Sequence, residues 1–196
     1  MSACRTIHES ITDALANSND YWEGSPFQDI SRLSADERGR WGEDLLHRLL
    51  NEAGVDNTWN GDTNTLHEDG VYDLLLENGS RIEVKTSLSS YLWQHENIYA
   101  SHCWDYIAFV DVLYDSIAFT ICSYDNMSCC LAPQIKHPVF GRKATLRGAQ
   151  TDKYKLNFSP IQHKRGVEAG LTFVYDLGDP GQSLYEWFRG AVDLLI

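Results

Sequence analysis

The 196-residue sequence predicts a mixed α/β (α+β) domain, with a central mixed β-sheet flanked by helices. Three observations lead there. Capped amphipathic helices stand near both ends, Asn78-Gly79 gives a hairpin signal, and two apolar runs, Tyr106 to Leu113 and Ser116 to Tyr124, read as buried strands. Helices and strands interleave, as that class requires.

The elements follow in order. Thr6-x-x-Glu9 is a capping box for a short helix through about Ala16, and Asn17 to Ser31 is loop-like. Ser34-x-x-Glu37 caps a stronger helix that should stop at Gly54, the residue type favoured just past a helix end. Trp41, Leu45 and Leu49 form its apolar stripe, Leu46 and Leu50 widen it, and Glu43 borders the buried face. Gly39 and Gly42 each cost about 1 kcal/mol in a helix interior, so they mark either a close approach or a tolerated weakness. Val71 to Ser87 reads as a hairpin, Gln94 to Cys103 as a helix, and Tyr154 to Phe158 as a short strand. Ser183-x-x-Glu186 caps a closing helix.

Composition narrows the function classes. With 43% hydrophobic and 12% aromatic residues the chain can bury one substantial core, which excludes a disordered chain. No apolar run approaches the roughly 18 residues of a membrane span, and His8 and Glu9 stand where a secretory signal would be apolar. A soluble cytoplasmic protein of one domain, residues 1–196, is expected. Cys4, Cys103, Cys122, Cys129 and Cys130 make no zinc spacing and read as reduced, mostly buried thiols. The net charge is -12, yet Ile135 to Arg165 holds Lys136, Arg142, Lys143, Arg147, Lys153, Lys155, Lys164 and Arg165 against Asp152 alone. That segment is either a solvated basic face or a phosphate-contacting patch.

The chemistry-bearing motif is Asp73, Glu83 and Lys85. Two carboxylates can share a hard cation, and Mg²⁺ prefers oxygen ligands while keeping several waters. A lysine two residues after Glu83 projects from the same strand face, where it can hold an attacking water and offset charge growing on a phosphate. Val84, between them, should face the core. Hairpin register decides whether Asp73 joins them. A two-residue Asn78-Gly79 turn would set Asp73 against Val84, on the wrong face. A three-residue loop, Glu77-Asn78-Gly79 with Gly79 left-handed, pairs Asp73 with Glu83 and gathers Leu74, Leu76, Ile82 and Val84 on the other face. The three-residue loop is therefore expected.

From Arg38 to Tyr124 the chain resembles the PD-(D/E)xK nuclease superfamily, through RGRWGEDLLHRLL, then VYD, RIEVKTS and QHENIYASHCWDYIAFVDV. The resemblance implies a restriction-endonuclease-like core of helix, hairpin, helix and strand, spanning about residues 34–124. It implies Mg²⁺ on Asp73, Glu83 and the Val84 carbonyl, with Mn²⁺ able to substitute. Lys85 would position the nucleophile, and Glu43 would match the helix glutamate used at a second metal. Tyr72 stands where the family usually has proline, and Gln94 is followed at the Gln-x-x-x-Tyr spacing by Ile98 rather than tyrosine. The first is a frequent variation; the second leans away from exonuclease-like members and toward a type II restriction endonuclease, a homodimer cutting double-stranded DNA at a specific sequence, without a small-molecule cofactor. The basic residues of 135–165, with Ser87 and Gln94, would contact DNA. The alternatives are a repair, junction-resolving or RNA-cleaving nuclease, or a non-catalytic nucleic-acid-binding relative.

Overall fold

A computed structural model describes residues 21–60, 72–99, 103–131, 153–179 and 184–195. After a single helical turn, α1 (Gln28–Ser31), the chain enters α2 (Ala35–Glu52). The expected capping box is formed. The Glu37 N–H donates to Ser34 Oγ at 3.3 Å, and the Ser34 N–H donates to Glu37 Oε2 at 2.8 Å. Ala53 is the C-cap, and Gly54 follows at φ +80°, a left-handed conformation that suits glycine. Leu46, Leu49 and Leu50 are buried, and Trp41 and Leu45 pack beside them. Each buried leucine contributes about 1.5–3 kcal/mol.

Gly39 and Gly42 of α2 differ in purpose. A Cβ on Gly42 would lie 1.9 Å from Thr86 Oγ1 and 3.0 Å from Thr86 Cβ, whereas one on Gly39 would meet nothing within 4 Å. Gly42 thus lets α2 close on the strand carrying Glu83 and Lys85. We expect Gly39→Ala to stabilise the chain by about 0.5–1 kcal/mol. Gly42→Ala should instead destabilise it by about 1–3 kcal/mol through overpacking. Thermal melts of the two variants read the contrast, and equal shifts would mean that α2 does not rest on Thr86.

Among the described residues eight strands follow: β1 (Asn57–Trp59), β2 (Leu74–Leu76), β3 (Arg81–Leu88), β4 (Trp93–Tyr99), β5 (Tyr106–Val112), β6 (Ser116–Ser123), β7 (Lys153–Phe158) and β8 (Thr172–Asp176). The remaining helices among the described residues are α3 (Tyr124–Leu131), α4 (Pro160–Glu168) and α5 (Leu184–Val192). The central sheet runs β1-β2-β3-β5-β6-β8, and β4 pairs with β7 in a second, two-stranded sheet. Only β3 and β5 are parallel, so the central sheet is mixed and mostly antiparallel.

Two cores cover the two faces of the central sheet, which explains why β5 and β6 are apolar on both sides. On one face Val84, Ala108, Val110, Phe119 and Ile121 pack with leucines of α2 and with Phe188, Ala191 and Val192 of α5. On the other, Ile107, Phe109 and Cys122 pack with Trp93, Ile98, Leu156 and Phe158 of the small sheet and Met127 of α3. Cys103 and Cys122 are free thiols.

The β2–β3 hairpin has the expected three-residue loop. Leu74 faces Ile82 and Leu75 faces Arg81. The Leu76 N–H donates to the Ser80 carbonyl at 2.8 Å, and Gly79 lies at φ +86°. This register carries Asp73 to the level of Glu83. The Asp73 N–H donates to the Ile82 carbonyl at 2.9 Å, and the Asp73 carbonyl accepts from the Asn60 N–H at 2.9 Å, pinning its backbone from both sides.

One element is corrected. Gln94 to Cys103 was expected to be a helix, whereas Trp93–Tyr99 is strand β4, antiparallel to β7. The expected order of helix, hairpin, helix and strand therefore has a strand as its third element. Trp93 and His95 are buried with exposed Gln94 between them, and a register shift precedes buried Ile98. This is strand periodicity, disguised because one inward position is a histidine. His95 and Glu96 therefore stand on a strand, and His95 does not face solvent.

Helices α3 and α4 and strands β1 and β8 were not anticipated, and the single turn α1 lies in the segment Asn17 to Ser31 that was expected to be a loop. For α4 the signal is present: Ser159-Pro160-Ile161-Gln162 is a capping box with proline at the first helical position, and the Ser159 N–H donates to Gln162 Oε1 at 3.0 Å. The helix expected after Thr6 and the caps at Ser183 and Glu186 involve residues outside those described, or whose side chains are not described. No described helix is long and apolar enough to cross a membrane.

Candidate active site

β3 pairs in parallel with β5 so that Glu83 lies beside Ile107, Lys85 beside Phe109 and Ser87 beside Asp111. With a period of two, Glu83, Lys85 and Ser87 share the sheet face toward the small sheet, while Val84 points into the opposite core. Glu83 is only 5% exposed, and the Lys85 ammonium donates a short hydrogen bond to its Oε1. Asp73 Oδ2 accepts from the Val84 N–H at 2.7 Å. Glu43 arrives from α2, its Oε2 accepting from the Trp59 indole N–H at 3.1 Å. The first-named trio and Glu43 are thus brought together, and Trp59 is a positioning contact that packing considerations alone did not suggest.

The electrostatics follow from that crowding. Burial, then the Glu83 and Glu43 carboxylates, push the Asp73 carboxyl up to about 8, against the opposing pull of Lys85 and the Val84 N–H. Burial works against the Lys85 charge, but Glu83 and Asp73 outweigh it and hold its pKa above the ordinary lysine value. Lys85 therefore stays an ammonium at neutral pH, a donor with no acceptor capacity. In the absence of a cation, the cluster retains a proton at Asp73.

The cluster opens into a cleft of about 660 Å³ between the first half of α2 and strands β3 and β4. Arg38, Gly39 and Arg40 line it from the helix, and Ser87, Gln94 and Glu96 from the strands. Two of the expected DNA contacts, Ser87 and Gln94, are therefore in the cleft. The Ser87 hydroxyl accepts from the Gln94 N–H at 3.0 Å, and Gln94 Oε1 accepts from Lys155 Nζ at 2.8 Å. Lys155 also pairs with Glu96 at 2.9 Å, so its charge is partly offset inside the protein. Lys164 and Arg165 are exposed on α4. Lys153 lies on β7, with nothing described of its side chain; Lys136, Arg142, Lys143 and Arg147 lie outside the described residues.

Among the described residues, no group of three or more His, Cys, Asp or Glu side chains forms a ready-made metal cage. Each carboxylate is instead engaged by a protein donor: Glu83 by Lys85, Asp73 by Val84, and Glu43 by Trp59. The donor set still suits Mg²⁺, which takes one or two carboxylates and keeps waters for its other positions. A carboxyl that holds its proton to about pH 8 because two more carboxylates crowd it is a place where a divalent cation would relieve repulsion.

Behind the cleft lies a buried polar group that the sequence reading did not single out. Asp111 of β5 is fully buried and accepts from His95 Nε2 at 2.8 Å and from His163 Nε2 at 2.6 Å. Burial alone would raise its pKa, but the two imidazoles more than offset this and hold it below the usual value. The signal in the sequence is the lone carboxylate in YIAFVDVL, which a buried strand can hold only with partners. His95 belongs to the small sheet and His163 to α4, so Asp111 ties both to the central sheet.

No protein-family model, curated protein or solved structure matches the chain. The fold and the site define a mixed α/β protein whose cleft holds a carboxylate–lysine cluster.

Proposed function

We propose that this chain is a Mg²⁺-dependent endonuclease of the PD-(D/E)xK type that hydrolyses DNA phosphodiester bonds. The observation that carries the reading is that Asp73, Lys85 and Glu43 line one cleft, with buried Glu83 joined to them through Lys85 and the Asp73 proton held to about pH 8. The hairpin register supports it, because the apolar pattern and the carboxylate pairing agree on one alignment. The order α2, β2–β3 hairpin, parallel β5 is compatible with a restriction-endonuclease-like core, with β4 in place of the expected helix.

Asp73 and Glu83 would hold the cation, with the Val84 carbonyl as a further oxygen and Glu43 available to a second ion. When bound, Mg²⁺ supplies a more acidic water and neutralises charge on the phosphate. The protein groups do the rest. The Val84 N–H fixes the Asp73 carboxylate, and Trp59 fixes Glu43. Lys85, held against Glu83, carries a permanent positive charge two residues along the same strand face and can stabilise the negative charge that develops as the phosphate is attacked. Arg38 and Arg40 on the cleft wall contribute phosphate contacts, joined by Ser87, Gln94 and the basic segment 135–165. A type II reading carries with it a two-fold homodimer on double-stranded DNA, with Mn²⁺ replacing Mg²⁺.

Incubating the purified chain with a large phage DNA, with and without Mg²⁺, tests this reading. Discrete fragments only with Mg²⁺ are expected from a sequence-specific cutter. A Mg²⁺-dependent smear would keep the nuclease and discard its site specificity, and intact DNA under both conditions would refute the proposal.

A further inference from the structure

Helix α2 holds two interior glycines, and the protein's own packing explains only one of them. Gly42 is buried, and a Cβ there would run into Thr86 of β3. Gly39 is half-buried, and a Cβ there would find no atom within 4 Å. It lies inside an α-helix, so no left-handed backbone demands glycine either. A glycine in that setting weakens the helix without any gain in packing.

What Gly39 faces is the cleft. It lines the wall with its chain neighbours Arg38 and Arg40, and with Ala35 and Glu43, which lie one turn to either side on the same helix face. Four residues separate Gly39 from Glu43, about 6 Å along the helix axis. Glu43 in turn acts electrostatically on both Asp73 and Lys85, so the bare patch of α2 adjoins the carboxylate–lysine cluster. Arg38 is tied back by donating to the Leu33 carbonyl at 2.7 Å, while Arg40 is exposed. The wall therefore sets two cations around a point with no side chain.

We propose that Gly39 is a substrate-contact position: the sugar–phosphate backbone of the bound DNA runs against α2 there, in the space a side chain would fill. The inference rests on the nuclease reading and adds to it the wall along which the substrate lies. Within the helix the Gly39 N–H is bonded one turn back, so the glycine supplies room rather than a hydrogen bond. Arg38 and Arg40 offset the phosphate charge on either side. The missing Cβ lets the strand approach the helix closely beside Glu43.

Gly39→Ala and Gly39→Gln add neutral bulk of two sizes, and both residues favour a helix more than glycine does. Both variants are expected to melt at or above wild type. Fluorescence anisotropy with a labelled mixed-sequence duplex in chelator should show weaker binding, by about threefold for Gly39→Ala and about 30-fold for Gly39→Gln, the scale of an overfilled contact. With Mg²⁺ the loss should appear in KM, with kcat at saturating DNA close to wild type. Stability and binding thus move in opposite directions, which a purely structural glycine does not predict. A Gly39→Gln protein that binds duplex within about twofold of wild type would overturn the proposal, whatever its rate of cutting. So would one that melts below wild type, because the position would then pack against the protein itself. Wild type that binds duplex without cutting it would refute the nuclease reading and leave Gly39 to be judged by the binding series. Wild type that neither binds nor cuts would refute both.

Discussion

Asp73→Asn is expected to abolish Mg²⁺-dependent cleavage and, in the same protein, to raise thermal stability at alkaline pH. The Asp73 carboxyl, ordinarily at 3.8, sits at about 8 in the folded chain. Folded protein therefore keeps a proton that unfolded protein has already lost. The stability from that proton is complete below about pH 4 and is lost as the pH rises toward about 8. Asparagine carries no ionisable group there, and its oxygen can still accept from the Val84 N–H. Melting both proteins in chelator from pH 5 to 9 should show the variant gaining on wild type as pH rises, by about 2–4 °C for each kcal/mol. Added Mg²⁺ should raise the melting temperature of wild type at pH 8 and leave the variant nearly unmoved, the result expected if Asp73 is a ligand of the proposed cation. A variant that melts below wild type at pH 9 would mean that Asp73 is not under the repulsion described.

Lys85→Met should have an effect of similar size on activity and the opposite effect on stability. Glu83 is 5% exposed and its ion pair is with Lys85. Removing the ammonium leaves a buried carboxylate without its counter-charge, which costs about 3 kcal/mol. Methionine keeps much of the lysine's length and apolar volume, so little of the loss should come from packing. The double substitution Lys85→Met with Glu83→Gln removes both charges and should recover most of that stability with no recovery of cleavage. A thermodynamic cycle across the four proteins measures the coupling, and an additive result would mean that the two side chains do not depend on each other.

The difference between what could be read from sequence and what could not has physical causes. Helix α2 was legible at both ends because Ser34, Glu37 and Gly54 act locally, through hydrogen bonds and backbone conformation within a turn. The hairpin register was legible because one choice put Leu74, Leu76, Ile82 and Val84 on one face and the charged residues on the other. The site inherited that legibility, since Glu83 and Lys85 are fixed by strand period and Asp73 by register. Strand β4 was not legible. Its inward position at His95 is satisfied by Asp111, sixteen residues along the chain, and by aromatic rings on β5 and β7. A buried polar residue takes its meaning from partners distant in sequence, so the strand alternation looked like a polar surface. Trp59 is similar: its indole N–H finds Glu43 across the gap between β1 and α2. Helix α4, by contrast, announces itself locally through Ser159, Pro160 and Gln162.

The most direct measurement is a cleavage assay of mixed-sequence duplex DNA with wild type, Glu83→Gln and Lys85→Met, each purified identically and each shown to bind the DNA in chelator. Wild type should cut when Mg²⁺ is added and remain inactive in chelator, and both variants should bind DNA but cut at least about 100-fold more slowly, the scale set by loss of a preorganised electrostatic group. Equal cutting by all three proteins, or equal inactivity with binding intact, would contradict the assignment of catalysis to this cluster.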